Sequence, residues 1–192
     1  MQFDTEDQRE WYERIKAWMA DEYGDVDLTQ PDEPVLGPIG HDSASASIIV
    51  APGGGGEGAL ISIFSWVVTG AEPSKELFEY LLRANANRAV GAFHIDENND
   101  ILLRHVLLDD QLTKDVLMGI LTVVAKGADE HDDEIVKRFG GRRYEDRVAA
   151  ARASESSQTV AGSPEAGWYK DPQGVSRLRW WDGNRWTDHT AE

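Results

Sequence analysis

Apolar side chains along the first 147 residues recur with two different periods, and a turn signal stands at most changes of period. Trp11, Ile15, Trp18 and Met19 repeat at helical spacing behind the pair Thr5 and Gln8, which has the pattern of a capping box. This predicts a first helix, ended by Gly24. Segments 45–51 and 59–68 are rich in Ile and Val and read as strands, joined by a loop from Pro52 to Gly58; a further short strand is expected near 34–39. In 59–68, Leu60, Phe64, Trp66 and Val68 fall on one side and Ile61, Ile63 and Val67 on the other, the signature of a central strand. A second helix is predicted over about 74–86, with Leu77, Phe78, Leu81 and Leu82 along its stripe. Strands at 90–96 and 101–108 flank the turn Glu97-Asn98-Asn99-Asp100. A long third helix follows Asp110 or Thr113, with Leu112, Val116, Leu117, Ile120, Leu121 and Val124 as its buried side, and stops at Gly140-Gly141. The fold class is therefore α+β, an antiparallel sheet with helices packed on one face.

The pattern then changes. Residues 148–166 are small and polar, with too little apolar surface to offset the entropy of ordering, and read as a flexible linker. Residues 167–190 hold four of the seven Trp and two turn signals, Asp171-Pro-Gln-Gly174 and Asp182-Gly183. These predict a small three-stranded β module behind a main domain at 1–147.

Two resemblances follow from particular residues. Leu81-Leu82-Arg83-Ala84-Asn85, Gly91-Ala92-Phe93-His94-Ile95-Asp96, the hairpin after it, Ala128-Asp129 and Phe139-Gly140-Gly141-Arg142 resemble the YbjN-type family, grouped with the peptide-binding chaperones of type III secretion systems. That resemblance implies a noncatalytic, usually dimeric, secretion-chaperone-like domain that holds protein segments. Gly167-Trp168-Tyr169-Lys170-Asp171-Pro172, Leu178-Arg179-Trp180-Trp181-Asp182-Gly183 and Arg185-Trp186-Thr187-Asp188-His189 resemble a short Trp-rich actinobacterial module without an assigned function, often found beside membrane segments. Lys170 stands where that module usually carries Pro.

Composition narrows the chemistry. The net charge is −16, and residues 1–147 hold 29 acidic against 14 basic side chains, so nucleic acid is not an expected partner. The chain has no Cys, which removes disulfides, thiolate metal sites and thiol nucleophiles together. With no apolar run near the ~20 residues that span a bilayer and no leader-like amino terminus, a cytoplasmic protein without a transmembrane segment is expected. The glycine-rich Gly53–Gly58 loop lacks the Gly-Lys-Ser/Thr of a phosphate cradle and leads into no helix. Asp96, Asn98 and Asp100 match the first positions of a calcium loop, but Ile101 and Leu107 stand where its Gly and bidentate Glu belong. The run from Asp129 to Glu134, with His131 inside it, reads as a solvated helix face. No catalytic residues, metal ligands or cofactors are assigned, and an enzyme is not expected.

What remains is a binding surface. If Asp96 pairs with Ile101, then His94 pairs with Leu103, and His94, Ile101, Leu103, His105 and Leu107 share one face of the hairpin, while Phe93, Ile95, Leu102, Val106 and Leu108 meet the helices. The first set is the candidate partner-binding patch. In the module, Trp168 and Trp186 are expected in the core, while Trp180 and Trp181, one exposed by alternation, and Arg179 are candidate anchors. The leading expectation is a noncatalytic adaptor that holds a protein or peptide client, as a homodimer, with a docking module that reaches a protein or a membrane-associated partner. The alternative is a small-ligand or metal-binding sensor or enzyme using the Gly53–Gly58 loop and His94/His105.

Overall fold

The computed structural model describes residues 1–24, 33–41, 44–150, 153, 166–172, 174, 176–183 and 185–191. Two compact units divide between Arg147 and Val148. The first opens with α1, Glu6–Tyr23. Thr5 Oγ1 accepts the Gln8 N–H at 3.2 Å, capping the helix as the sequence expects. The Gln8 side chain accepts from Asp4 N at 2.7 Å and donates to the Val50 carbonyl at 2.8 Å, so a buried polar group ties the helix start to the sheet. Gln8, Tyr12, Ile15 and Met19 form the buried stripe. Trp11 and Trp18 lie beside it and pack partly against the core, one step around from the expected face.

The strands are β1 (Val35–His41), β2 (Ala44–Pro52), β3 (Ala59–Thr69), β4 (Ala92–Ile95) and β5 (Ile101–Leu108). They run antiparallel in the order β1-β2-β3-β5-β4, so β3 is central, as its two apolar sides predict. Helix α2 (Lys75–Ala86) is capped by Ser74, and α3 (Lys114–Phe139) by Thr113 at one end and Gly140 at the other. All three helices cover the same side of the sheet: α1 against β2 and β3, α2 against β4, and α3 against β1, β2, β3 and β5. Between them lie Ile48, Ile61, Ile63, Ile101 and Leu103 from the strands and Ile15, Leu77, Leu117 and Ile135 from the helices, all fully buried. Not all of the apolar stripes reach this core. Phe78 and Leu82 of α2 stay 43% and 68% exposed, and Val116 of α3 is 38% exposed rather than buried.

After α3, Arg142–Arg143 form a short strand, β6, paired with β3 at Val68 and Thr69. Residues 144–150 are helical and form α4. Residues 148–150 of the expected linker thus belong to a helix, and most of the remainder of that segment lies outside the described residues.

The second unit contains a three-stranded antiparallel sheet, β7 (Gly167–Lys170), β8 (Leu178–Trp181) and β9 (Trp186–Ala191), in that order. Both expected turns are present. Gly174 N donates to the Asp171 carbonyl at 3.2 Å, and Asp182 N donates to the Arg185 carbonyl at 3.1 Å, with Gly183 at φ 98°.

Candidate functional site

The β4–β5 hairpin decides which residues face outward, and its register differs by one step from the expected one. Asp96 pairs with Asp100 rather than with Ile101: Asp96 N donates to the Asp100 carbonyl at 3.0 Å. Asn99 takes a left-handed conformation, φ 63°, which Asn tolerates better than most residues. The Asp96 carboxylate accepts from Asn98 N at 2.9 Å and Asp100 N at 2.8 Å, so the supposed calcium ligand folds its own turn. Phe93 therefore stands opposite Leu103, His94 opposite Leu102, and Ile95 opposite Ile101.

That single step inverts the faces of β5. Ile101 and Leu103 are fully buried beneath the helices, Leu107 packs partly against the same core, and none of these three is available as a surface anchor. His105 also lies on the helix side, where its Nδ1 accepts the Gly91 N–H at 3.2 Å. His94 is on the opposite side and exposed. The two His thus occupy different faces and do not form a ligand pair. Partial burial, and then the nearby Arg104 guanidinium, hold the His94 imidazole below its ordinary range.

The uncovered face carries Ile49 of β2, Leu60, Phe64 and Trp66 of β3, and Leu102, Val106 and Leu108 of β5. Val106 and Leu108 are 44% and 52% exposed. Phe64 and Trp66 meet edge to face at 6.3 Å, and Arg104 crosses the middle, its Nε donating to Ser62 Oγ at 2.6 Å. Apolar side chains adjacent on neighbouring strands make one continuous surface divided by a guanidinium. Ser45 and Trp66 at one corner are touched by α4: Tyr144 stacks on Trp66, and Glu145 accepts from the Ser45 hydroxyl. The apolar side chains of β5 that remain accessible thus lie on the side opposite the one expected from the alternation. The residue that marks this register in the sequence is Asn99, which suits a three-residue loop ending in a left-handed residue.

The glycine-rich loop is held by acidic groups. Gly58 N donates to Asp7 Oδ2 at 2.7 Å and Ala59 N to Asp109 Oδ2 at 3.1 Å. Carboxylates already sit where a phosphate would, and their charge repels one. His131 lies between Tyr80 and Phe93, at 6.2 and 5.0 Å, with Nδ1 3.0 Å from the Gly127 carbonyl, so it packs among aromatics instead of standing on a solvated face. Burial, then the charge of Glu134, push the Tyr80 phenol up to about 12. Among the described residues, no group of three or more His, Asp or Glu is placed to hold a metal ion, and no helix is long and apolar enough to cross a membrane.

In the small module, exposure is also reversed. Trp168 and Trp186, expected in the core, are 46% and 38% exposed, whereas Trp180 and Trp181 are both half-buried. Trp168 packs edge-on to Trp180 at 5.4 Å, and Trp186 to Trp181 at 5.3 Å, so each outer ring covers an inner one. The inner position belongs to the middle strand, which has a neighbour on both edges. Arg179 is not free to stack on a partner: its Nε lies 2.9 Å from Oδ1 of the fully buried Asp171 carboxylate.

Comparison with known proteins adds two matches along the chain. Residues 12–147 match TY-Chap1, described as "T3SS (YopN, CesT) and YbjN peptide-binding chaperone 1". Residues 166–192 match a protein of unknown function, DUF2510. Comparison with curated proteins gives no match. Among solved structures, the ExsC–ExsE complex is similar with a TM-score of 0.51 at 16% identity, over 64% of this chain and 93% of that one. The HopA1–SchA chaperone–effector complex follows at 0.49 and 12% identity, over 66% and 98%. The Yersinia pestis type III secretion chaperone SycH, in complex with a stable fragment of YscM2, follows at 0.46 and 17%, over 62% and 98%. At such identities the likeness is one of fold.

Proposed function

The chain belongs to the TY-Chap1 family of peptide-binding chaperones, and from that premise we propose that it is a noncatalytic, chaperone-like adaptor that holds an extended segment of a client protein on the uncovered face of its sheet. The observation that carries this reading is the apolar surface of Leu60, Leu102, Val106 and Leu108 beside Phe64 and Trp66, on the side opposite all three long helices. An extended segment fits a pleated face because its alternate side chains reach the same rows of the sheet. A second apolar ridge, Phe78 and Leu82 on the outer side of α2, supports association of two copies through that helix. In the C-terminal module, the exposed rings of Tyr169 and Trp186, edge to face at 6.3 Å on one side of the small sheet, support a second docking surface for a protein partner, including one at a membrane.

The direct test is an array of immobilised peptides of graded apolar content, probed with the full chain. Apolar-rich peptides should retain it, and a Val106→Asp/Leu108→Asp variant that remains folded should lose most of that retention. Equal retention of the variant would sink the assignment of the face. For the alternative sensor reading, the loop amides and the two His offer no support, for the geometric reasons above.

A further inference from the structure

The uncovered face is already occupied at one corner, by the chain itself. Gly140 and Gly141, at φ 73° and 82°, lead from α3 into β6, and a Cβ on Gly141 would stand 2.6 Å from the Thr69 carbonyl oxygen. β6 lies in the plane of the sheet beside Val68 and Thr69, so the chain passes from the helix side to the uncovered side. Tyr144 then lies nearly flat on Trp66, with centroids 5.8 Å apart and planes at 21°. Glu145 accepts a hydrogen bond from Ser45 Oγ. Arg147 adds its guanidinium 5.6 Å from the Tyr144 ring. An aromatic ring and a carboxylate thus fill one end of an apolar surface whose other end, at Val106 and Leu108, remains exposed.

We infer that Tyr144 and Glu145 are an internal stand-in for the client: Trp66 and Ser45 form a subsite for an aromatic residue followed by an acidic one, and a client segment of that chemistry binds by displacing the start of α4. This rests on the proposed client face and deepens it. Asp146, Arg147, Ala149 and Ala150 are all exposed. The further ties of α4 are ion pairs near the surface, Asp146 with Arg143 at 2.8 Å and Arg147 with Asp100 at 3.9 Å, which add little to stability, so Tyr144 and Glu145 carry most of its hold on the sheet. The tether, through its roughly millimolar effective concentration, makes the stand-in a competitor that a matching segment must outbid.

The test uses the isotope-labelled full chain and a blocked peptide probe with the sequence of residues 142–150, followed by NMR at the Trp66 indole N–H. The Tyr144→Ala chain should bind this probe at least about tenfold more tightly than the wild type, a difference of about 1.4 kcal/mol. A probe with Ala in place of its Tyr should not bind, and adding Trp66→Ala to the chain should abolish binding, read in that variant from the backbone amide signals of Ser45 and Phe64. Equal affinity for wild type and Tyr144→Ala, or no saturable shift with the latter, overturns the inference. Should Tyr144→Ala unfold the chain, Glu145→Gln must still tighten the probe, and no tightening there is equally fatal. If the Val106→Asp/Leu108→Asp variant loses the arrayed peptides while Tyr144 has no effect on the probe, the face survives and the stand-in falls. If neither substitution changes anything, both fall.

Discussion

Leu103 and Val106 are three residues apart on one strand, yet the same substitution should affect them in opposite ways. Leu103 is fully buried and faces Gly127 of α3, whereas Val106 is 44% exposed. Leu103→Asp places a carboxylate in an apolar core and should cost more than the ~2–5 kcal/mol of a buried Leu→Ala change. Val106→Asp meets water and should shift stability by only about 0.5 kcal/mol. Urea melts of the two variants check this, and comparable losses would refute the inverted register. His94 provides a second residue-scale prediction. Burial and then Arg104 lower its pKa in the fold, so folding favours the neutral ring. That contribution is intact above the unfolded value of about 6.5 and is lost as pH falls through the folded value. NMR titration should place the His94 midpoint below that of a model imidazole, and Arg104→Gln should raise it part of the way, leaving the share due to burial.

At the scale of elements, the ends of the helices were readable because their chemistry is local. Thr5, Ser74 and Thr113 each cap the helix that follows, and Gly24 and Gly140 end α1 and α3 in left-handed conformations. The crossing from α3 to β6 depends on Gly141, where φ is 82° and the Thr69 carbonyl leaves no room for a side chain. Gly141→Ala should destabilise the chain by about 1–3 kcal/mol, from strain and contact together. A thermal melt equal to wild type would show that the backbone relaxes freely there. The register of the hairpin is not legible in the hydrophobic pattern, because either closure of Asp96, onto Asp100 or onto Ile101, satisfies the alternation of β5. What separates them is the Asx turn at Asp96 and the left-handed Asn99, a matter of loop geometry instead of hydrophobic pattern.

For the whole molecule, the open question is what covers its remaining apolar surface. Phe78 and Leu82 are one helical turn apart on the outside of α2, a ridge suited to a second copy of the chain. Light scattering should find a dimer at tens of micromolar, a range we take as about right for an interface of ordinary size, and Leu82→Asp should yield a folded monomer. A monomeric wild type would remove this interface. The C-terminal module buries few side chains, yet Asp171 and Arg179 form a nearly closed ion pair within it. We expect residues 160–192 alone to reproduce the module's NMR resonances from the full chain; a disordered fragment would show that it needs the rest of the protein.

The amino-acid sequence by itself determined the class of fold, the order of the elements from α1 to α3, the central position of β3 and the separate Trp-rich sheet, because period, caps and turn residues act over a few neighbouring positions; β6 and α4 were not among them. Tertiary structure alone decided which side of β5 meets the helices, which Trp of the module is outermost, and that Tyr144 lies over Trp66. Each of these depends on residues far apart in the chain. Both faces of β3 and β5 carry large apolar side chains, so hydrophobicity cannot rank them, and the choice falls to loop closure and to the sheet side that α1, α2 and α3 can all reach.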